Sequence, residues 1–193
     1  MDFADRAVHE MTVAAKAIVH AFYETPPKLS YWNGCSGGGR QGLIEAQRFP
    51  WDYAEFRTLN ASDPDLTKFQ QRGGKLLLYH GWSDPNFSAQ PTIDYYESLR
   101  AVAGAERIAE WARLFLAPGM GHCGGGNGPN AFDPITALEQ SVEHGRAPQS
   151  ILATHSTNGK VDRTRPLCPF PQVAKYNGTG SIEEAASFTC RLP

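Results

Sequence analysis

Ser36 stands in the stretch Asn33-Gly34-Cys35-Ser36-Gly37-Gly38-Gly39-Arg40-Gln41, between a run Leu29 to Trp32 that reads as a strand and a run Leu43 to Arg48 that reads as a helix. A serine carried on a sharp strand-to-helix turn, with Gly-x-Ser-x-Gly spacing, is a nucleophile elbow: its hydroxyl is held clear of a strained backbone for attack on a carbonyl carbon. Gly34 and Gly38 supply the spacing, because the backbone is close-packed on both sides of the serine, and Gly37 and Gly39 add slack. Glycine-rich loops are common, so the motif needs partners before it means chemistry.

Two partners follow. Leu76-Leu77-Leu78-Tyr79-His80 is a short continuous apolar run, the pattern of a strand buried on both faces of a parallel sheet, and it leads into Gly81-Trp82-Ser83-Asp84. Asp84 therefore lies just past a strand's carboxyl end, where α/β enzymes carry their working residues. The same syntax recurs at Trp111 to Ala117, which runs into Pro118-Gly119-Met120-Gly121-His122-Cys123 and makes His122 the first titratable group after that strand. Serine, aspartate, histidine is the triad order of α/β hydrolases. The roles fit: Ser36 as a weak nucleophile, His122 as its base, and Asp84 as the carboxylate that orients the base. Asp94 is a rival acid, but it falls inside a helix-like segment, Pro91 to Val102.

The set Cys35-Ser36, Asp84 and His122-Cys123 resembles the CS-D-HC motif of the tannase and feruloyl esterase family. The likeness extends through Gly38-Gly39-Arg40-Gln41-Gly42, Tyr79-His80-Gly81-Trp82 and the tail Asp162-Arg163-Thr164-Arg165-Pro166-Leu167-Cys168-Pro169, and so runs along the whole chain. It implies a partial α/β-hydrolase fold with a mostly parallel sheet flanked by helices. It also implies a Ser36, Asp84, His122 triad and hydrolysis of aryl or hydroxycinnamoyl esters such as feruloyl and galloyl esters, without a cofactor. Four cysteines allow three pairings, and the resemblance selects Cys35 with Cys123 and Cys168 with Cys190. The first bridge would tie nucleophile to base. In the acyl-transfer scheme Gly37 N–H is the expected oxyanion donor, while Trp82 and Phe87 are candidates for an aromatic acyl pocket.

The chain also departs from the family pattern. Relatives carry a lid domain between serine and aspartate, whereas about fifty residues separate Ser36 from Asp84 here. The lid is expected to be missing at about 50 to 60, with a junction from Gln47-Arg48-Phe49-Pro50 into Trp51-Asp52-Tyr53. The connection then runs through Asn60 to Asp65 to a short helix over Leu66 to Arg72. Upstream of the elbow the sequence predicts one amphipathic helix, on the spacing of Val8, Met11, Ala15, Ile18 and Phe22. The early strands and the loop lending a second oxyanion donor are expected upstream of Met1. The chain thus reads as the carboxy-terminal part of a longer esterase, or as a compact form that completes itself as a homo-oligomer. An alternative of another class is a catalytically silent fragment or interaction module.

The 193 residues, 41% of them hydrophobic, suit a single α/β-hydrolase-like domain over 1–193. A net charge of -2 without Lys/Arg runs gives no reason to expect nucleic acid or an anionic membrane as partner, and no apolar stretch has transmembrane length. Paired cysteines point to a secreted or periplasmic location, and since Met1 opens into the first helix without a basic and apolar leader, any signal peptide is expected to have been lost with the missing amino terminus. Cys35, Cys123, His80 and His122 lack the spacings of a zinc site, so no metal is expected. His80, at a strand end, reads as structural or pocket-lining. His155 reads as a surface or turn residue, and His9, His20 and His144 read as helix-face residues.

Overall fold

The computed structural model describes residues 6–47 and 61–193. They belong to two compact units, Met1–Phe69 and Gln70–Pro193. The expected junction from residue 48 to 53 and the whole of the expected lid gap at about 50 to 60 lie outside the described residues.

The first unit opens with helix α1 (Ala7–Tyr23), as its periodicity requires. It contains five alanines and neither glycine nor proline, and it stops where Glu24 turns left-handed at φ 58° ahead of Pro26. Its apolar stripe, however, is not buried. Met11 is 57%, Ile18 69% and Phe22 77% exposed, and the residue of α1 that is buried is His9. Among the described residues of this unit Ile44 and Leu66 are the buried apolar side chains, too few to cover a helix face. The run Leu29 to Trp32 corrects a second expectation, since it forms no ladder among the described residues and is irregular. A strand exists only through its partner's hydrogen bonds, whatever the apolar content of the run. Helix α2 (Gly37–Gln47) follows the elbow directly. The short helix expected at Leu66 to Arg72 forms as α3 (Thr67–Gln71), its first turn anchored by Asp65 Oδ1, which accepts from Thr67 N–H at 3.0 Å.

The second unit is built on the two apolar runs. Strands β1 (Leu76–Gly81) and β2 (Ala112–Ala117) pair in parallel, with His80 opposite Leu116 and Gly81 opposite Ala117. Helix α4 (Gln90–Ala103) makes the crossover between them, with proline in its first turn. Leu114 and Phe115 are consecutive, so they point to opposite faces, and both are fully buried. The sheet is therefore covered on both sides at β2, whereas β1 is only half-buried along most of its length.

Beyond the β2 loop comes helix α5 (Pro134–His144). Asp133 caps it by accepting from Thr136 N–H at 3.0 Å, and Gly145 ends it in the left-handed conformation. The rest is antiparallel: β3 (Ile151–Thr157) pairs with β4 (Lys160–Leu167), and β5 (Val173–Tyr176) with β6 (Phe188–Arg191). The tight turn of the first hairpin uses Asn158 and Gly159, both at positive φ, the conformation that a two-residue loop of matching twist needs. Among the described residues there is thus one parallel pair beside two antiparallel pairs, and a mostly parallel sheet is not what these strands form. The tail is stapled by the Cys168–Cys190 disulfide, with Cα atoms 5.5 Å apart.

Phe115, Ala117, Met120, Ile151, Ala153 and Leu167 form the core that binds the β2 end to the β3/β4 hairpin. Phe115 is the largest fully buried side chain there. Its replacement by alanine is expected to cost about 3 to 5 kcal/mol, read as a lowered urea midpoint at constant slope. A loss under about 1 kcal/mol would show that this cluster is not the core.

Candidate active site

In the first unit, the elbow has the backbone that its motif demands. Ser36 has φ 54°, in the left-handed region that costs a side-chain-bearing residue on the order of 1 to 2 kcal/mol. Two hydrogen bonds fix the turn, Gly38 N–H to Cys35 O and Arg40 N–H to Ser36 O, each 3.0 Å. Gly37 is the first residue of α2, so its N–H belongs to the helix N-terminus immediately after Ser36. The glycines divide differently from the Gly-x-Ser-x-Gly expectation. A Cβ on Gly34 would lie 2.5 Å from Gly38 C, and one on Gly39 2.9 Å from Gly34 O, whereas one on Gly38 would meet nothing within 4 Å. Gly42 is required by Trp32, whose ring lies across it and whose Nε1–H donates to Gly38 O at 2.9 Å.

In the second unit, acid and base come together. His122 Nδ1 lies 2.7 Å from Asp84 Oδ2. A carboxylate only accepts, so Nδ1 carries the proton and Nε2 keeps its lone pair in the neutral ring. The Asp84 side chain is 4% exposed, against 30% for His122. Its other oxygen, Oδ1, accepts from Asn86 N–H at 2.8 Å and Phe87 N–H at 3.0 Å. Burial pushes this carboxyl group up, but the hydrogen bond from His122 and those from Asn86 and Phe87 together outweigh it and hold the pKa at about 2.

The loop holding His122 is shaped by backbone contact. Met120 and Gly126 form a bridge, Gly121 N–H donates to Gly125 O, and Gly128 N–H donates to Gly119 O. A Cβ on Gly126 would sit 2.1 Å from Gly119 O, one on Gly128 2.1 Å from Pro118 O, and one on Gly81 2.2 Å from Gly121 O. The last overlap locks the Asp84 turn to the His122 loop. Ser83 N–H reinforces it by donating to Met120 O at 3.0 Å. Arg163, from β4, donates to Asn127 O at 3.0 Å and pairs with Glu183, which ties the far end of the loop to the hairpin.

Of the remaining candidates, Phe87 and His80 lie beside this pair. Phe87 packs its ring 5.3 Å from that of His122 and is 59% exposed, and Trp82 is 55% exposed. His80 is hydrogen-bonded at both nitrogens, to Thr92 Oγ1 at 2.8 Å and Phe87 O at 3.1 Å. Asp94 sits on α4, bonded to Gln90 Nε2. His155 is not in a turn. It lies in β3 beside a bulge, with Nδ1 2.6 Å from Asp162 Oδ1, and Thr157 bonds the other oxygen of the same carboxylate. His9 is buried and faces Glu45 of α2, whose carboxyl group burial pushes up to about 7. The β3/β4 hairpin and this pair were outside the sequence reading; only the Asn158-Gly159 dipeptide signalled the former. Among the described residues no cysteine is free. Among the described residues no cluster of three or more His, Cys, Asp or Glu could hold a metal ion, and no helix is long and apolar enough to cross a membrane.

An acid-base pair at parallel-strand ends and a strained serine before a helix are features of esterases of the α/β-hydrolase type. The family model described as tannase and feruloyl esterase matches residues 1–58 and 54–191. The chain belongs to the tannase and feruloyl esterase family. It is 52% identical over 137 residues to mono(2-hydroxyethyl) terephthalate hydrolase of Piscinibacter sakaiensis, covering 69% of this chain and 22% of that protein. It is 33% identical to the tannase of Aspergillus oryzae, covering 65% of this chain and 23% of that enzyme. The crystal structure of feruloyl esterase B from Aspergillus oryzae superposes with a TM-score of 0.63 at 28% identity, over 69% of this chain and 30% of that one. The chain thus spans only about a quarter of the length of the curated relatives it matches.

Because the Asp84 pKa lies below its ordinary value, the pair contributes stability that is fully present above about pH 4 and is lost as pH falls through about 2. The stability difference between the natural chain and Asp84→Asn should therefore be constant from pH 7 down to about 5 and shrink between about 4 and 2. Thermal melts across that range test it, and a difference that stays flat to pH 2 refutes the assignment.

Proposed function

We propose that the chain carries the chemical centre of a carboxylic ester hydrolase acting through an acyl-enzyme, its two units being parts of one α/β-hydrolase-like domain. Ser36 Oγ attacks the ester carbonyl while His122 Nε2 takes its proton. The tetrahedral oxyanion is met by Gly37 N–H, and the proton passes from His122 to the departing alcohol oxygen. Water, deprotonated by the same nitrogen, then attacks the acyl carbon and releases the acid and Ser36. Asp84 holds the ring in the required tautomer throughout. The observation that carries this reading is the hydrogen bond from His122 Nδ1 to a buried Asp84, which leaves Nε2 as the base. The left-handed Ser36 at the start of α2 supports the nucleophile's role.

The acyl group is proposed to be aromatic, of the feruloyl or galloyl type, with Trp82 and Phe87 as the side chains that meet it. Support comes from relatives named mono(2-hydroxyethyl) terephthalate hydrolase, tannase and probable feruloyl esterase B. Both aromatics are more than half exposed, so they would grip such a group from one side only. An activated aryl acetate, which depends less on positioning, should therefore be turned over faster than methyl ferulate. The assay compares p-nitrophenyl acetate with methyl ferulate, with Ser36→Ala as control. Activity that persists in Ser36→Ala would refute the mechanism, and the lack of any Ser36-dependent turnover would favour a silent interaction module. Preference for methyl ferulate would overturn the one-sided pocket.

Cys35 and Cys123 are proposed to form the bridge that ties nucleophile to base. The chain would then belong in an oxidising compartment, secreted or periplasmic. Peptide mapping of oxidised protein should recover a Cys35–Cys123 linked peptide, and recovery of either as a free thiol would count against it.

A further inference from the structure

We infer that His80 is a positioning residue for the acid-base pair, setting the Asp84 turn and the Phe87 ring against His122. The inference rests on His122 being the base of the proposed reaction. His80 is the penultimate residue of β1, four residues before Asp84, and its side chain is only 17% exposed. The bond to Phe87 O fixes its protonation pattern, because a carbonyl only accepts: Nε2 must carry a proton. Nδ1 is then free to accept from the Thr92 hydroxyl, 2.8 Å away in the first turn of α4. The neutral ring satisfies both partners, and no charge on His80 is required.

That single ring spans three pieces of structure. Its backbone is held in the β1/β2 ladder opposite Leu116, Nδ1 reaches α4, and Nε2 reaches the loop between them. The loop is clamped from two ends. Asp84 Oδ1 gathers the N–H groups of Asn86 and Phe87, and His80 holds the carbonyl of Phe87. With both sides of Phe87 fixed, its ring stays 5.3 Å from the His122 ring. Asp84 Oδ2 therefore lies between two imidazoles of unlike duty. It accepts from His122 Nδ1 at 2.7 Å, while His80 Nε2, at 3.7 Å, is beyond hydrogen-bond reach and committed to Phe87. The rings carry their protons on opposite nitrogens, so His80 does not compete for the carboxylate oxygen that His122 uses. Without His80, the Phe87 end of the loop would lose its tie to β1, leaving Asp84 Oδ1 as the group that holds Phe87.

The test uses the full chain with ¹⁵N-labelled histidine and reads the low-field Nδ1–H resonance of His122, which reports the bond to Asp84 whether or not the chain turns over esters. His80→Gln retains a donor and an acceptor at about the right reach and should keep that resonance and Ser36-dependent kcat to within about threefold. His80→Phe keeps the ring but removes both bonds. It should broaden or abolish the resonance and lower kcat about 10- to 100-fold, in line with the cost of a small misplacement of catalytic groups, with KM changed less than about threefold. Thr92→Val, which removes one partner, serves where His80→Phe does not fold, and should broaden the resonance. The inference is overturned if a folded His80→Phe, or in its place Thr92→Val, keeps the natural resonance, or if His80→Gln fails to rescue it. A natural chain without Ser36-dependent turnover would defeat the esterase reading alone, since the resonance would still decide the role of His80.

Discussion

The hydrogen bond from His122 Nδ1 to Asp84 Oδ2 is the interaction around which the second unit is organised. A nearly buried carboxylate is costly unless its lone pairs are filled, and Asp84 fills them from three donors on two loops. Both loops begin at the carboxyl ends of paired parallel strands, so the ladder of β1 and β2 sets the separation of their roots. Side chains and backbone then do the finer work. The Asp84 turn is closed by its own Oδ1, and the His122 loop is folded back on itself through glycines that leave no space for a Cβ.

The hydrogen-bond pattern also distinguishes the two histidines near Asp84. His122 exposes one ring nitrogen, while His80 has both engaged, and the difference arises from the acceptors each ring meets. A carbonyl and a hydroxyl saturate His80; a lone carboxylate oxygen leaves His122 half-used. Two histidines within one short stretch of fold thus acquire different chemistry without any difference in residue type.

Much of this was legible in the sequence because it rests on local pattern. The runs at Leu76 and Trp111 became paired strands, and the loops after them delivered Asp84 and His122, since a continuous apolar run followed by glycine leaves few alternatives. The glycines around Ser36 announced the turn, although the contacts show Gly34 and Gly39, not Gly38, to be the sterically required ones. What failed depended on partners remote in sequence. Leu29 to Trp32 has strand composition but no ladder among the described residues, and α1 has a helical stripe that stays exposed. Periodicity reports the geometry of one element and carries nothing about what covers it. The carboxy-terminal strands were missed for the opposite reason: their order comes from the Asn158-Gly159 turn, the Arg163–Glu183 tie and the Cys168–Cys190 staple more than from alternating apolar residues.

The loop from Gly119 to Gly128 holds His122 by main-chain atoms, which every amino acid shares, while Phe87 meets that ring through its side chain. Placement and packing surface are therefore written in different parts of the polymer. Exchanging Phe87 would alter the surface that packs on His122 and leave the loop carrying that ring where it stands. The freedom to vary therefore lies in the exposed Phe87 ring, while Gly126 and Gly128 have no room for any side chain.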